Sequence, residues 1–198
     1  MNRICEFSVV LVTLPIMLFT GTQAANVSSI QARVAAAEDT SYEFLTRLGG
    51  QLKRELADGG PESAISVCRD VAPAMATELS LRNGWQVSRV STKPRNSLLG
   101  MPDAWEQNVL NSFEERVASG ETVGALSYYE VVDEPIGQSF RYMLAIETGG
   151  LCLSCHASPE HISEGVATRL NELYPYNQAT GYDLGDLRGA ISIKQPIQ

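Results

Sequence analysis

An α+β fold is predicted: an antiparallel sheet flanked by helices, with a long helix at the N-terminal side. Three observations predict it. Helical periodicity dominates the first half of the chain, alternating apolar and polar residues mark strands in the second half, and the strands follow one another in meander order with one helix inserted.

The first residues read as an export leader. Met1-Asn2-Arg3 carries positive charge, Phe7 to Phe19 is an almost unbroken apolar run, and Thr22-Gln23-Ala24 offers a small-x-small cleavage site before Ala25. The run is shorter than the ~20 residues a membrane span requires. The organisation expected is therefore a signal peptide over 1–24, an N-terminal helix over 25–60 and a single folded domain over 61–198. The expected location is the periplasm, with no membrane attachment after cleavage. A formal charge of −8 argues against nucleic acid and against anionic lipid, and would suit a basic partner protein.

From Ser28 to about Ala57, Ile30, Val34, Ala37, Phe44, Leu45, Leu48, Leu52 and Leu56 recur at three- and four-residue steps, the mark of an amphipathic helix. This stripe could also pair between two chains as a homodimer. Gly59-Gly60 ends the helix, and Pro61 suits the first position of the next, where a missing N–H costs nothing. Ile65, Cys68, Ala72, Met75 and Leu79 continue as one apolar stripe. Pro73 interrupts it, so a kink or restart is expected just past Val71.

Asn83-Gly84 is a turn, and Trp85 to Ser91 reads as a strand. A loop is expected from Thr92 to Met101. Asp103 and Glu106 then form a capping box for a helix with face Trp105, Val109, Phe113 and Val117, stopped by Gly120. Val123–Val132 and Phe140–Ile146 read as paired strands. Ser158-Pro159 opens a helix carrying Ile162, Val166, Leu170 and Leu173. Ala190–Lys194 closes the chain as a last strand after a turn-rich stretch.

Between the third strand and that helix stands Cys152-Leu153-Ser154-Cys155-His156. Two cysteines two residues apart, followed at once by histidine, is the attachment pattern of c-type haem. Thiols one helical turn apart can each bond one porphyrin vinyl group, and the next imidazole falls beneath the iron. The cofactor expected is one covalent haem c. A zinc site would want four ligands, and Cys68 and His161 do not form a second close pair.

With Cys5 lost in the leader, Cys68 is left without a disulfide partner. Its position in an apolar stripe fits a small buried hydrophobe, and its place one turn before Pro73 fits a side chain presented into a cavity. For the second axial position of the iron, His161, Met75, Met101 and Met143 stand beside it as alternatives. Arg89 and Arg95 read either as surface charges or as partners of the haem propionates, whose carboxylates match the guanidinium fork.

The chain resembles the PAS-like c-type haem domains of bacterial sensor proteins, a family long described as a domain of unknown function. The resemblance spans about Ala64 to Ile193. It rests on Ala64-Ile65-Ser66-Val67-Cys68 with Ala72-Pro73, on Arg89-Val90-Ser91 with Arg95-Asn96, on Pro102-Asp103-Ala104-Trp105-Glu106, on the Cys-x-x-Cys-His string, and on Gly181-Tyr182 through Gly185-Asp186 to Arg188-Gly189-Ala190. It implies haem attached at Cys152 and Cys155, His156 as proximal ligand and Cys68 as the other axial ligand. The chain departs from that family after Arg95-Asn96, where Ser97, Leu98 and Leu99 replace the usual Pro and second Asn. It departs again at Ala157, which replaces a glycine.

The function expected is redox or small-ligand sensing, or electron transfer, with a redox or signalling partner protein. A peroxidase-like haem enzyme and a haem-free zinc or thiol-redox protein are the alternatives.

Overall fold

A computed structural model describes residues 21–197, with side chains from Ser29 onward. The expected leader lies outside the described residues, apart from the backbone of its last four.

Helix α1 spans Gly21–Ser66, with one break inside it at Gly60, where φ is 75° and ψ −178°. A positive φ is open to glycine at little cost, and Pro61 restarts the helix with φ already set, as the sequence predicts. Past Ser66 the chain does not run on as α-helix. Val67–Val71 forms a turn of π-helix, in which the Ala72 N–H bonds to the Val67 carbonyl. The reason is Pro73: it has no N–H for the Arg69 carbonyl and its ring would strike that group. Widening one turn removes the conflict, and α2 continues over Ala72–Asn83 with Pro73 in its first turn.

The extra residue shifts the phase of the helix. Val67, not Cys68, joins Ala72, Met75 and Leu79 in the core. Cys68 is only half-buried. The single stripe drawn through Ile65, Cys68 and Ala72 is thus corrected: those residues face different surroundings.

The sheet has four strands in the order β1-β4-β3-β2, every pair antiparallel. They are β1 Gln86–Val90, β2 Ser127–Glu134, β3 Gly137–Glu147 and β4 Leu187–Pro196. The segment Val123–Ala125, expected to begin a strand, is a 3-10 turn. Residues alternate between faces along each strand. Phe140, Tyr142, Leu144, Ile191 and Ile193 pack with Phe44, Leu48, Met75 and Leu79 on the α1/α2 side. Val90, Met143, Ala145 and Ala190 pack on the other side against Val109, Leu110 and Phe113 of α4, Ala104–Ala118. The capping box forms as predicted: the Glu106 N–H donates to Asp103 at 2.8 Å and the Asp103 N–H to Glu106 at 2.8 Å.

The expected loop after β1 contains a short helix, α3, over Ser97–Gly100. After β3 the chain makes a 3-10 turn, Gly150–Cys152, then a single helical turn α5, Leu153–His156. The helix expected from Ser158-Pro159 is split into a 3-10 turn, Pro159–His161, and α6, Glu164–Leu173. A third, smaller cluster joins Ile65 to Val166, Leu170 and Tyr174, with Cys155 packed against it. Among the described residues no helix is long and apolar enough to cross a membrane.

Candidate functional site

Cys152 caps α5 and Cys155 lies within it, so the two thiols stand one helical turn apart, both half-buried. His156 follows as the last residue of that turn. The segment after α6 folds back over it: the Tyr182 N–H bonds to the His156 carbonyl at 3.0 Å and the Gly181 N–H to the Ala157 carbonyl at 3.0 Å. Tyr182 sets its ring edge-on to the imidazole, 6.2 Å between centroids.

Two neighbours make opposite demands on Nδ1 of His156. The Ala179 carbonyl oxygen lies 2.7 Å away and requires a proton there, while Nη2 of Arg95, also 2.7 Å away, requires a lone pair. The carbonyl belongs to a backbone held in place by an Ala179 N–H bond to Asn177, 2.9 Å, whereas the guanidinium ends a long flexible side chain. The proton therefore belongs on Nδ1, and Nε2 is left with its lone pair, the form that ligates metals. Burial of the ring, with Arg188 and Arg95 adding to it, pushes the imidazole well below its ordinary pKa, so it is neutral.

Arg95 is held at this point from several sides. Nη2 donates to the Cys155 carbonyl and to the Ala179 carbonyl, and the guanidinium lies 6.0 Å from the Tyr174 ring centroid. Its Nη1 is buried and finds no hydrogen-bond partner. Burial pushes its pKa down to about 10, and the nearby Arg188 adds to the effect.

Arg188 donates to Ser91 Oγ at 3.1 Å and lies over Tyr182 at 5.1 Å. Its pKa is lowered by burial and by Arg89. Arg89 itself sits 5.7 Å from the Phe44 ring. Lys93 lies over the Tyr182 ring as well, its Nζ 4.4 Å from the centroid. Among the described residues none of these four cations forms an ion pair with a carboxylate, although Arg33 aside, most other arginines of the chain do. In an acidic chain this is a local excess of positive charge without counter-ions.

Cys68 joins the group. It is near enough to Cys155, Arg95 and Arg188 to perturb each of them electrostatically. Burial raises the Cys155 thiol pKa; Arg95 opposes this, and Cys68 and Cys152 add to it. Of the six residues singled out from sequence, Arg95 contacts Cys155 and His156 directly, Cys152 lies one helical turn away, and Cys68 and Arg89 stand in their electrostatic surroundings.

The alternatives to Cys68 fall elsewhere. His161 is exposed at the end of its 3-10 turn. Met101 is 57% exposed after α3, Met143 is fully buried on the α4 side of the sheet, and Met75 is core packing between α2 and the sheet. Sequence reasoning missed Arg188, Lys93 and the Ala179 carbonyl. Arg188 stood inside a quoted motif, Arg188-Gly189-Ala190, and its charge next to a required glycine was the available signal.

Fold and site together define a class: a small α+β protein with a long N-terminal helix, whose thiols, imidazole and unpaired arginines meet near the end of one antiparallel sheet. The chain belongs to the Tll0287-like family, whose model matches residues 20–196. Among solved structures it is similar to the cyanobacterial heme-protein Tll0287, at 25% identity and a TM-score of 0.60, over 86% of this chain and 97% of that one. No curated protein matches it.

Proposed function

We propose that this protein is a haem protein of the c type, carrying one haem bonded to Cys152 and Cys155 with His156 and Cys68 as axial ligands. Its role is redox or small-ligand sensing, or electron transfer, in the periplasm. The observation that carries the reading is the convergence of Cys68 with the Cys-x-x-Cys-His turn inside a cluster of arginines that lack carboxylates.

The residues fit the group. Two thiols one turn apart match two vinyl groups, and a neutral imidazole whose Nε2 keeps its lone pair, with Arg95 Nη2 3.5 Å away, matches iron. A buried guanidinium with an unpartnered Nη1 matches a propionate. Among the described residues no three His, Cys, Asp or Glu side chains gather as a metal site of their own. Macrocyclic iron needs no such gathering, since the porphyrin supplies the equatorial ligands and the chain only the axial ones.

The bound group would supply one-electron chemistry at iron. What the chain supplies is orientation: Ala179 fixes the imidazole, the π-turn presents Cys68, and Arg89, Arg95 and Arg188 offer positive charge to carboxylates. The family member described as a heme-protein supports the cofactor. A peroxidase-like activity would need a distal acid–base group, and His161, the remaining histidine, is exposed on its turn.

Intact-mass measurement after acid–acetone extraction tests the attachment. Protein made with the haem-attachment machinery should carry the mass of one haem, and a mass equal to the polypeptide alone would sink the reading. Cys68→Ala tests the ligand set. The haem should stay attached while the ferric spectrum loses its low-spin thiolate form and the reduction potential rises. An unchanged spectrum and potential would remove Cys68 from the iron.

A further inference from the structure

We infer that the open edge of the sheet, strand β2, docks an extended segment of a partner protein whose residues are basic and apolar by turns. The inference does not depend on the haem reading, and none of its residues belongs to the site above.

The two edges of the sheet are finished differently. β1 is short, and its outward backbone is covered: the Val87 N–H donates to Ser80 Oγ at 2.9 Å and the Ser91 N–H to the Gly100 carbonyl at 3.1 Å. β2 is the opposite edge, eight residues long, and runs against β3 without a bulge. The Ala145 N–H bonds to the Leu126 carbonyl at 2.9 Å, and along an antiparallel ladder every second residue bonds to its neighbour strand. Ser127, Tyr129, Val131 and Asp133 therefore turn their N–H and C=O groups away from β3. Among the described residues no loop or side chain meets those groups. Folds ordinarily blunt so long an edge with lysine, proline or a bulge, and β2 has none of these.

The side chains say what covers it. On the α1 side Tyr129, 42% exposed, stacks on Phe140 at 5.8 Å beside Val131, 38% exposed, so the apolar layer runs out to the edge and stops in solvent. On the α4 side Glu130 accepts from Trp105 Nε1 at 2.8 Å and from the Tyr128 hydroxyl at 3.4 Å. The cations nearby are already engaged. Lys194 pairs with Glu134 at 2.5 Å, and Arg141, opposite Glu130 across the ladder, pairs with Asp103 at 2.7 Å and Glu106 at 3.3 Å. Asp133 accepts only from Gln138, at 2.8 Å. Among the described residues Glu130 and Asp133 thus have no ion-pair partner.

This charge pattern chooses the occupant. Pairing β2 with β2 of a second copy would bring two sets of Glu130 and Asp133 together with no cation to spare, and like charges across a ladder destabilise it. A segment with apolar residues on one face and basic residues on the other meets no such opposition. Its apolar residues extend the Tyr129–Val131 layer, a cation comes beside Glu130, and its backbone closes the open ladder.

The probe is a fluorescein-labelled peptide, acetyl-Thr-Lys-Val-Lys-Val-Lys-Val-Thr-amide, titrated against the full-length protein by anisotropy. It should bind saturably, and the amides of Tyr129 and Val131 should exchange more slowly in its presence. Glutamate in place of each peptide lysine should weaken binding by about tenfold or more. So should N-methylation of the peptide valines, which keeps the charge but removes the N–H groups that would bond to β2. Val131→Pro, which removes an N–H that β3 does not use, should abolish binding, and Glu130→Lys, at an exposed position, should weaken it severalfold. No binding up to about 1 mM peptide overturns the inference. So does an N-methylated peptide that binds as well as its parent, or unchanged affinity in Glu130→Lys. A dimer in sedimentation that Val131→Pro dissociates would put a second copy on this edge and overturn it too.

Discussion

Replacing Arg95 by Leu should cost the haem-loaded protein far more than the unloaded one. In the unloaded fold the guanidinium stands at a loss: its pKa falls from the ordinary 12.5 to about 10, so the folded state disfavours the cation by about 3 kcal/mol. Against this stand its hydrogen bonds to the carbonyls of Cys155 and Ala179, worth about 1.5–3 kcal/mol each for a charged donor. A leucine in the same place adds about 1.5 kcal/mol of apolar burial next to Tyr174. These terms nearly cancel, and Arg95→Leu should leave unloaded stability within about 1.5 kcal/mol of the parent. In the loaded protein the same change strips a buried carboxylate of its partner, a loss of about 3–5 kcal/mol. The assay is urea unfolding of both forms, the unloaded one obtained by expression without the attachment machinery. Equal losses in the two forms would make Arg95 a strut of the loop and refute the reasoning. No loss in the loaded form would show that Arg95 faces no anion.

Leucine at Arg188 or Arg89 should lower the reduction potential by roughly tens of millivolts, because removing a cation favours ferric iron and 59 mV is a tenfold change for one electron. Arg169→Leu, on an exposed pair with Glu172, is the control and should leave the potential where it is. Gly189→Ala should destabilise the fold by about 3 kcal/mol or more in urea unfolding: φ is +147° and a Cβ would lie 2.2 Å from the Val90 carbonyl oxygen. Asp103→Ala should cost about 1–2 kcal/mol at neutral pH through the lost cap. Burial resists ionisation of Asp103, but the Glu106 N–H and Arg141 outweigh it and hold its pKa below the ordinary carboxylate value. The deficit should therefore be complete above the unfolded pKa, near 3.8, and shrink as pH falls through the lower folded value.

Much of the fold was legible because local signals were unambiguous. The Asp103/Glu106 box, the Gly60-Pro61 break and the alternation of Phe140, Tyr142, Leu144 and Ile146 each state their geometry within a few residues. What misled was phase. A regular 3.6-residue count places Cys68 among Ala72, Met75 and Leu79, and only the carbonyl conflict at Pro73 inserts the residue that hands the core position to Val67. The site was legible where chemistry is written in adjacent residues, as in Cys152 to His156. It was not where partners arrive from distant segments: Ala179 meets His156 across α6, and Arg188 meets Arg95 across nearly half the chain. No spacing rule records such meetings, because they depend on how β4 returns beside β1.

Mechanically, the stretch from Pro61 to Val71 is a link with a joint at each end. At one end Gly60 interrupts the ladder of hydrogen bonds, and at the other the π-turn has one residue more than an α-turn needs. Moving that surplus along the chain by one position would swing a side chain by about 100° and advance it about 1.5 Å, without unravelling either neighbouring helix. The thiol of Cys68 rides on this link. Its reach is thus set separately from the packing of the long rod before it, and the part of α1 that precedes Gly60 can stay seated on the sheet whichever way the thiol turns.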